Sequence, residues 1–143
     1  MYRVITALTF LILLAPGPAF AEPADVSDAD RAAIRVVIED QLAAFQADDA
    51  VRAFSHASPM IRRMFGTPGN FIRMVATGYP PVYRPRTVEF QDIITYHGAP
   101  TQRVFLVGPD GKSVIALYVM ELQAGGVWKI NGCSLVNSED SMV

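Results

Sequence analysis

The chain has 143 residues and a formal net charge of −2 at pH 7. That length is enough for one domain with a core of its own and too short for two. No basic stripe or lysine run is present, so we expect no nucleic-acid partner. The only cysteine is Cys133, which excludes an internal disulfide.

The first 21 residues have the pattern of a secretory leader. Arg3 supplies a positive charge, an apolar run follows from Val4 to Ala15, and Ala19-Phe20-Ala21 is a small-x-small cleavage site. The apolar run is too short for a membrane anchor and is broken by prolines. We therefore expect a cleaved signal peptide over 1–21, a periplasmic or secreted protein, and a single mature domain over residues 22–143.

A block of helices is predicted between Ser27 and Gly78. Ser27 and Asp30 form a capping-box pattern in front of an amphipathic helix. The pairs Ser58-Pro59 and Thr67-Pro68 each combine an N-cap residue with proline at the first helical position. The apolar side of the first helix carries Ile34, Ile38, Gln41, Leu42 and Phe45.

Strands are predicted to follow the helices. The proline-rich segment 79–85 is expected to be extended, because each prolyl ring restricts its own backbone and that of the preceding residue. It leads into a strand of about Thr87–Tyr96 and, after a loop, into a three-strand meander from Gln102 to Val136. The polar tail from about residue 137 is expected to fray. Helices followed by about four antiparallel strands predict an α+β fold.

The second hairpin loop of the meander predicts the pairing of its last two strands. A three-residue loop at Ala124–Gly126 places Leu122 opposite Trp128, and it places Glu121 opposite Lys129 as an ion pair. Continued along the strands, this register gives the pairs Ala116–Ser134, Leu117–Cys133 and Ile115–Leu135.

The first hairpin loop predicts which residues share a face of the sheet. A two-residue loop at Asp110-Gly111 places Arg103 opposite Tyr118 and on the same face as Met120 and Trp128. The second face then carries Val104, Leu106, Ile115, Leu117, Val119 and Leu135. An apolar face of that kind usually marks an interface, so we expect a symmetric homodimer packed through the sheet.

The order of helices, proline segment and curled sheet resembles the nuclear transport factor 2-like fold, in which a bent sheet wraps a long first helix and leaves a pocket. Within that fold the chain resembles a bacterial family called domain of unknown function 4864, over nearly all of the mature chain. The resemblance implies the cone-shaped fold and no catalytic residue. The matching stretches are Ile38-x-x-Gln41-Leu42-x-Ala44-Phe45, Ala57-Ser58-Pro59-x-Ile61, Phe65-Gly66, Tyr79-Pro80-Pro81-Val82-Tyr83-Arg84, Tyr118-x-Met120-Glu121 and Trp128-x-Ile130-x-Gly132-Cys133.

The sequence gives little support for catalysis. His56, His97 and one cysteine lack the spacing of a zinc site, and no nucleophile or phosphate-loop motif is present. We expect no metal and no cofactor. Enzymes of the nuclear transport factor 2-like fold often place a carboxylate inside the cone, so a small isomerase, cyclase or dehydratase is the alternative function. Its candidate carboxylates are Glu39, Asp40, Asp92 and Glu121.

The preferred function hypothesis is a non-enzymatic binding or interaction domain. Arginine suits carboxylate or phosphate groups, and tyrosine and tryptophan combine an apolar body with a polar tip. We therefore expect a small anionic or amphiphilic ligand, while core packing around the first helix remains the other explanation of the aromatic residues. The candidate ligand-binding residues are Tyr79, Tyr83, Arg84, Arg103, Tyr118 and Trp128.

The leader pattern makes a prediction about processing. Cleavage after Ala21 should leave Glu22 as the first residue of the exported protein. Intact-mass measurement on protein from the exported fraction checks this, and a species there that still carries Met1 would contradict it.

Overall fold

The computed structural model describes residues 26–139, so the leader and the last four residues of the tail lie outside the described residues. Within that range the helices are α1 (Asp28–Gln46), α2 (Ala50–Ser55), α3 (Pro59–Phe65), α4 (Pro68–Gly78) and α5 (Pro80–Tyr83). The strands are β1 (Thr87–Tyr96), β2 (Ala99–Val107), β3 (Ser113–Leu122) and β4 (Trp128–Asn137). None of these helices is long and apolar enough to cross a membrane.

The strands form one antiparallel sheet in the order β1-β2-β3-β4, and this sheet is curved and does not close. The predicted α+β class is confirmed. We call the side of the sheet that packs against the helices the inner face and the opposite side the outer face. The inner face and α1 share one core, whose buried members include Ile34, Ile38, Val104, Leu106, Tyr118 and Trp128.

Local side-chain signals set the starts of the longer helices. The Ser27 hydroxyl accepts a hydrogen bond from the Asp30 N–H (3.1 Å), and the Asp30 carboxylate accepts one from the Ser27 N–H (3.1 Å). Ser58 and Thr67 each accept from the backbone N–H three residues further on. Each cap of this kind contributes about 1 kcal/mol, because it satisfies a donor that the helix itself leaves open. All three predicted caps are confirmed.

The prediction of an extended segment over 79–85 is wrong, because Pro80–Tyr83 forms one helical turn. Prolines fit the first turn of a helix, where the backbone N–H has no intrahelical partner and the fixed φ is helical. The N–H groups that this turn does have are used: Tyr83 donates to the Tyr79 carbonyl (3.0 Å) and Arg84 to that of Pro80 (2.9 Å). Val82 is buried in the core, and its burial stabilises the turn.

The predicted register between β3 and β4 is confirmed next to their loop. Leu122 lies opposite Trp128, and Glu121 lies opposite Lys129. The ion pair is not formed between these two described side chains, since each has another partner. Lys129 Nζ donates to the Ser55 carbonyl (2.7 Å). The Gln123 amide donates to Glu121 Oε1 (2.8 Å).

Further along β4 the predicted register is wrong, because an extra residue enters the strand between Ile130 and Gly132. Cys133 therefore lies opposite Tyr118 and not Leu117, and Ser134 and Leu135 shift by one position as well. The extra residue forms a β-bulge, which bends the strand and moves every later side chain to the other face.

The register between β2 and β3 also differs from the prediction by one residue. The loop is Pro109–Gly111, closed by a hydrogen bond from the Gly108 N–H to the Lys112 carbonyl (2.9 Å). A two-residue loop at Asp110-Gly111 would pair Pro109 with Lys112, but Pro109 has no N–H to donate to the Lys112 carbonyl. Gly108 supplies that N–H, and Gly111 adopts φ 80° at the end of the resulting three-residue loop. Arg103 consequently lies opposite Leu117, on the outer face, and not opposite Tyr118.

The two register changes alter the composition of the outer face. Val104, Leu106 and Leu135 belong to the inner core, which corrects their predicted place on the second face. The register and the alternation of side chains give the outer face its own apolar residues, which are Phe105, Ile115, Leu117, Val119 and Val136.

The homodimer stays a prediction, now through this outer face. Val119→Asp places a charge on the outer face and should convert a dimer to a monomer, because an unpaired charge is costly to bury at an interface. Light scattering over a range of concentrations measures the change. Val127→Asp, at an exposed position in the β3–β4 loop, is the matched control. A wild-type protein that is monomeric at high concentration would contradict the prediction.

Candidate functional site

A cavity of about 230 Å³ lies between the helices and the inner face of β3 and β4. Helices α3 and α4 form most of one wall, with Ile61, Met64, Phe65, Phe71, Met74 and Val75. The sheet contributes Tyr118 and the β4 residues Ile130, Gly132 and Cys133, and α1 contributes Gln41 and Phe45. No Asp, Glu, Lys, Arg or His is among the described residues that line it, so its walls carry no formal charge.

The aromatic residues of the helices hold the cavity wall in place. The Phe71 ring lies 5.4 Å from that of Phe54 and 5.7 Å from that of Phe65, measured between ring centroids. The ring of Phe45, on α1, lies 6.1 Å from Phe71. Tilted and edge-on pairs at these distances are favourable beyond the area they bury. This cluster connects α1, α2, α3 and α4 on one side of the cavity.

Tyr118 is the unusual residue of the cavity wall. Its side chain is 1% exposed, and its hydroxyl has no hydrogen-bond partner among the described residues. A buried polar group without a partner costs about 1–3 kcal/mol, and most native structures avoid the cost. Burial, reinforced by the nearby Cys133, raises the pKa of Tyr118 well above its ordinary value. The hydroxyl is therefore neutral and keeps its proton as a hydrogen-bond donor.

Further side chains with polar atoms line the cavity. Gln41 is one of them, and its amide donates to the Ala53 carbonyl (3.1 Å). The Cys133 thiol lies beside Tyr118, and burial raises its pKa to about 12. Because the thiolate is the reactive form, the raised pKa keeps this thiol in its unreactive form at neutral pH.

The structure places two of the six predicted ligand-binding residues at the cavity, Tyr79 and Tyr118. Trp128 lies on the inner face but packs beside α1, where its indole N–H donates to Asp30 Oδ1 (3.1 Å). Arg103 lies on the outer face and donates to Asp92 Oδ1 (2.9 Å).

The other two predicted residues, Tyr83 and Arg84, close the C-terminal end of α1. The Arg84 guanidinium donates to the Phe45 carbonyl and to Asp48 Oδ1, and it lies 4.1 Å from the centre of the Tyr83 ring. The Tyr83 hydroxyl donates to the same carboxylate oxygen. These bonds, Tyr83 first and Arg84 second, lower the pKa of Asp48. Both side chains therefore stabilise the C-terminal end of α1.

The candidate catalytic carboxylates all lie outside the cavity lining. Glu39 accepts from Arg35 (2.6 Å), Asp92 from Arg103 and Glu121 from Gln123. Asp40 contacts the Arg52 guanidinium through both oxygens, and its Oδ2 lies 2.5 Å from His56 Nε2. No three His, Cys, Asp or Glu side chains among residues 26–139 are grouped as metal ligands.

The sequence interpretation missed most of the cavity wall, although one signal was present. Gln41 is a polar residue in the apolar stripe of α1, and such a residue must bond to something inside the protein. The methionines and phenylalanines of α3 and α4 were less informative, since the same residues would equally fill a solid core. Only their arrangement around an unfilled volume makes them site residues.

The Asp40 cluster predicts a dependence of stability on acid. Hydrogen bonds from Arg52 and then His56 lower the pKa of Asp40 from 3.8 to about 2. Since the folded-state pKa lies below the unfolded-state value, the ionised carboxylate stabilises the fold above pH 4, and this contribution is lost as the pH falls toward 2. Asp40→Asn should therefore reduce the free energy of unfolding at pH 7 and match the wild type near pH 2.

Urea unfolding at a series of pH values measures this difference. In an Arg52→Gln background, Asp40→Asn should change the free energy of unfolding by less, because the strongest partner of the carboxylate is absent. If the free energies of unfolding of wild type and Asp40→Asn differ by the same amount down to pH 2, the lowered pKa of Asp40 would be contradicted.

Comparison with known proteins identifies the family of this chain. The model of the family Domain of unknown function (DUF4864) matches residues 27–143, which include every described residue except Val26. Neither a curated protein nor a solved structure matches the sequence. The chain belongs to the family Domain of unknown function (DUF4864).

Proposed function

We propose that this domain binds a small, largely apolar molecule in the cavity, and that the Tyr118 hydroxyl donates the hydrogen bond that orients it. The observation that carries the proposal is that Tyr118, whose buried hydroxyl has no described hydrogen-bond partner, lines an apolar cavity. Apolar walls with few polar groups are typical of small-molecule sites. A ligand with a hydrogen-bond acceptor would remove the cost that Tyr118 imposes on the empty protein.

The cavity volume supports a ligand of limited size. An apolar cavity of about 150 Å³ accommodates benzene, and sites for drug-sized ligands begin at about 300 Å³. The cavity of about 230 Å³ lies between these values, so it suits a single ring with a short side chain or a short branched chain. Met64 and Met74 are unbranched and flexible, so the wall can adjust to such a ligand.

The charge of the lining supports a neutral ligand. Arg84 and Arg103, from which an anionic ligand was expected, bond to Asp48 and Asp92 outside the cavity. A carboxylate moved into uncharged walls would lose its hydration without gaining a cation. We therefore replace the anionic ligand by a neutral amphiphile that carries a carbonyl or hydroxyl oxygen.

The surrounding architecture supports the same function. A long helix, α1, packs against a curved sheet with a cavity beside it, which supports the nuclear transport factor 2-like cone that the sequence resembles. The leader pattern in the first 21 residues supports a place in the periplasm or outside the cell. The domain would then meet its ligand after export.

A small enzyme is the alternative, and it requires a base inside the cone. The titratable groups of the described lining are Tyr79, Tyr118 and Cys133, and the pKa values of the last two are raised. General acid–base catalysis works best with a pKa near the operating pH. Binding is therefore the better supported function, and turnover of a bound molecule would favour the enzyme.

The role of Tyr118 can be tested with two probes, propylbenzene and 1-phenylpropan-1-one, in which the CH2 next to the ring of the first is a carbonyl group in the second. Tyr118→Phe should weaken binding of the ketone by about tenfold, the equivalent of one hydrogen bond, and leave propylbenzene binding unchanged. The same substitution should not lower the free energy of unfolding, because it removes a hydroxyl that has no described partner. Calorimetry and urea unfolding measure the two effects.

The cavity itself can be tested with a matched pair of substitutions. Met74→Trp should fill the cavity and abolish binding of both probes, whereas Met60→Trp, at an exposed position outside the lining, should leave it intact. If both variants bind alike, the ligand site is elsewhere. If neither probe binds wild type, the cavity does not accept a ligand of this class.

A further inference from the structure

Helix α3 presents an unusual surface next to the cavity. None of its residues is buried, and Met60 and Met64 are 44% and 65% exposed. The neighbouring side of the helix, with Ile61 and Phe65, packs against the core. Large apolar side chains grouped on an exposed surface often mark a binding surface.

The charges around α3 have one sign. Residues 50–88 contain six arginines and no aspartate or glutamate, although the whole chain is slightly acidic. Arg52 and Arg84 pair with carboxylates of the α1 region. Three others lie on α3 and α4 and form no ion pair with a described carboxylate: Arg62, Arg63 and Arg73.

Arg73 is held close to α3 although it belongs to α4. Its guanidinium donates to Asn70 Oδ1 (2.5 Å), and the Asn70 amide donates to the Phe65 carbonyl at the end of α3 (3.1 Å). On α3 itself, helical spacing places Arg63 next to Met60 and Met64, on the side away from the core. We call Met60, Met64, Arg62, Arg63 and Arg73 the α3 surface.

We propose that the α3 surface docks on an anionic membrane. The methionines would enter the headgroup region, and the arginines would contact lipid phosphates, as basic amphipathic helices do. A helix of seven residues is too small for a stable protein–protein interface, which buries about 1,200–2,000 Å² in total. It does suit weak, reversible contact with a membrane, where several arginines and apolar tips act together.

Docking in this orientation would bring the cavity to the lipid surface. Met64 lines the cavity and is also the most exposed methionine of α3, so the helix forms the boundary between cavity and surroundings. Membrane docking does not depend on ligand binding, however. It follows from the exposed methionines and the unopposed arginines, and it can be measured with an empty cavity.

The test uses exported, processed protein and two kinds of vesicle, one of phosphatidylcholine alone and one with 30% phosphatidylglycerol. In this design we expect binding to the anionic vesicles only, and we expect it to weaken steeply with salt. The double variant Arg62→Glu, Arg63→Glu should weaken binding at least tenfold, since each arginine near an anionic surface contributes about fivefold. Co-sedimentation measures the partition coefficients.

Two controls test whether vesicle binding depends on the α3 surface itself. One controls for the total charge of the protein and the other for the loss of any exposed apolar side chain. The double variant Arg86→Glu, Lys112→Glu makes the same change of charge at exposed positions near the β2–β3 loop and should lower binding much less. Met60→Gln should weaken binding severalfold, whereas Val36→Thr, at a position 62% exposed on α1, should not.

Three results would overturn the proposal. One is equal binding to both kinds of vesicle, and another is an equal effect of the two charge-reversal variants. The third is no vesicle binding together with capture of a soluble acidic protein that Arg62→Glu, Arg63→Glu abolishes, which would assign the same surface to a protein partner. None of these results bears on the binding of propylbenzene or 1-phenylpropan-1-one, so docking and ligand binding can fail separately.

Discussion

The hydrogen bonds between residues 56–58 and the edge strand β4 are the contact on which the rest of the structure depends. Ile130 N–H donates to the His56 carbonyl (2.8 Å), and the Ser58 N–H donates to the Ile130 carbonyl (2.8 Å). Ser58 is fully buried, and its hydroxyl donates to Asn131 Oδ1 (2.7 Å) while it caps α3. One short segment thus ends α2, begins α3 and covers the edge of the sheet.

The β-bulge and the cavity both lie next to this contact. Asn131, the residue beside Ile130, accepts from Ser58, and the register of β4 changes at the same place. After the change Cys133 lies opposite Tyr118 on the inner face, so the β4 side of the cavity wall follows from the bulge. Bulges commonly redirect side chains next to functional sites. Tyr118 therefore lies next to the part of β4 that the bulge displaces. Its hydroxyl has no described partner, and this lowers the stability of the empty protein.

The arginines show how tertiary structure divides one residue type among different roles. Arg84 completes the end of α1 because Asp48 and the Phe45 carbonyl lie within its reach. Arg103 pairs with Asp92 on the outer face, since the β2–β3 loop turns it away from the cavity. Arg62 and Arg63 meet no described carboxylate, and the electrostatics of the α3 surface therefore differ from those of the acidic chain as a whole. The role of each arginine therefore depends on whether a carboxylate lies within its reach.

The sequence by itself determined the features that depend on near neighbours in the chain. The caps at Ser27, Ser58 and Thr67, the extent of β1 and the pairing beside the Ala124–Gly126 loop follow from local hydrogen bonds and turn geometry. Only the tertiary structure decided the register beyond Ile130, because the bulge is stabilised by residues more than 70 positions earlier. It also decided which residues form the candidate site. Tyr79 and Tyr118 were predicted, but Gln41 and the methionines of α3 and α4 acquire a role only when packing leaves a volume between them.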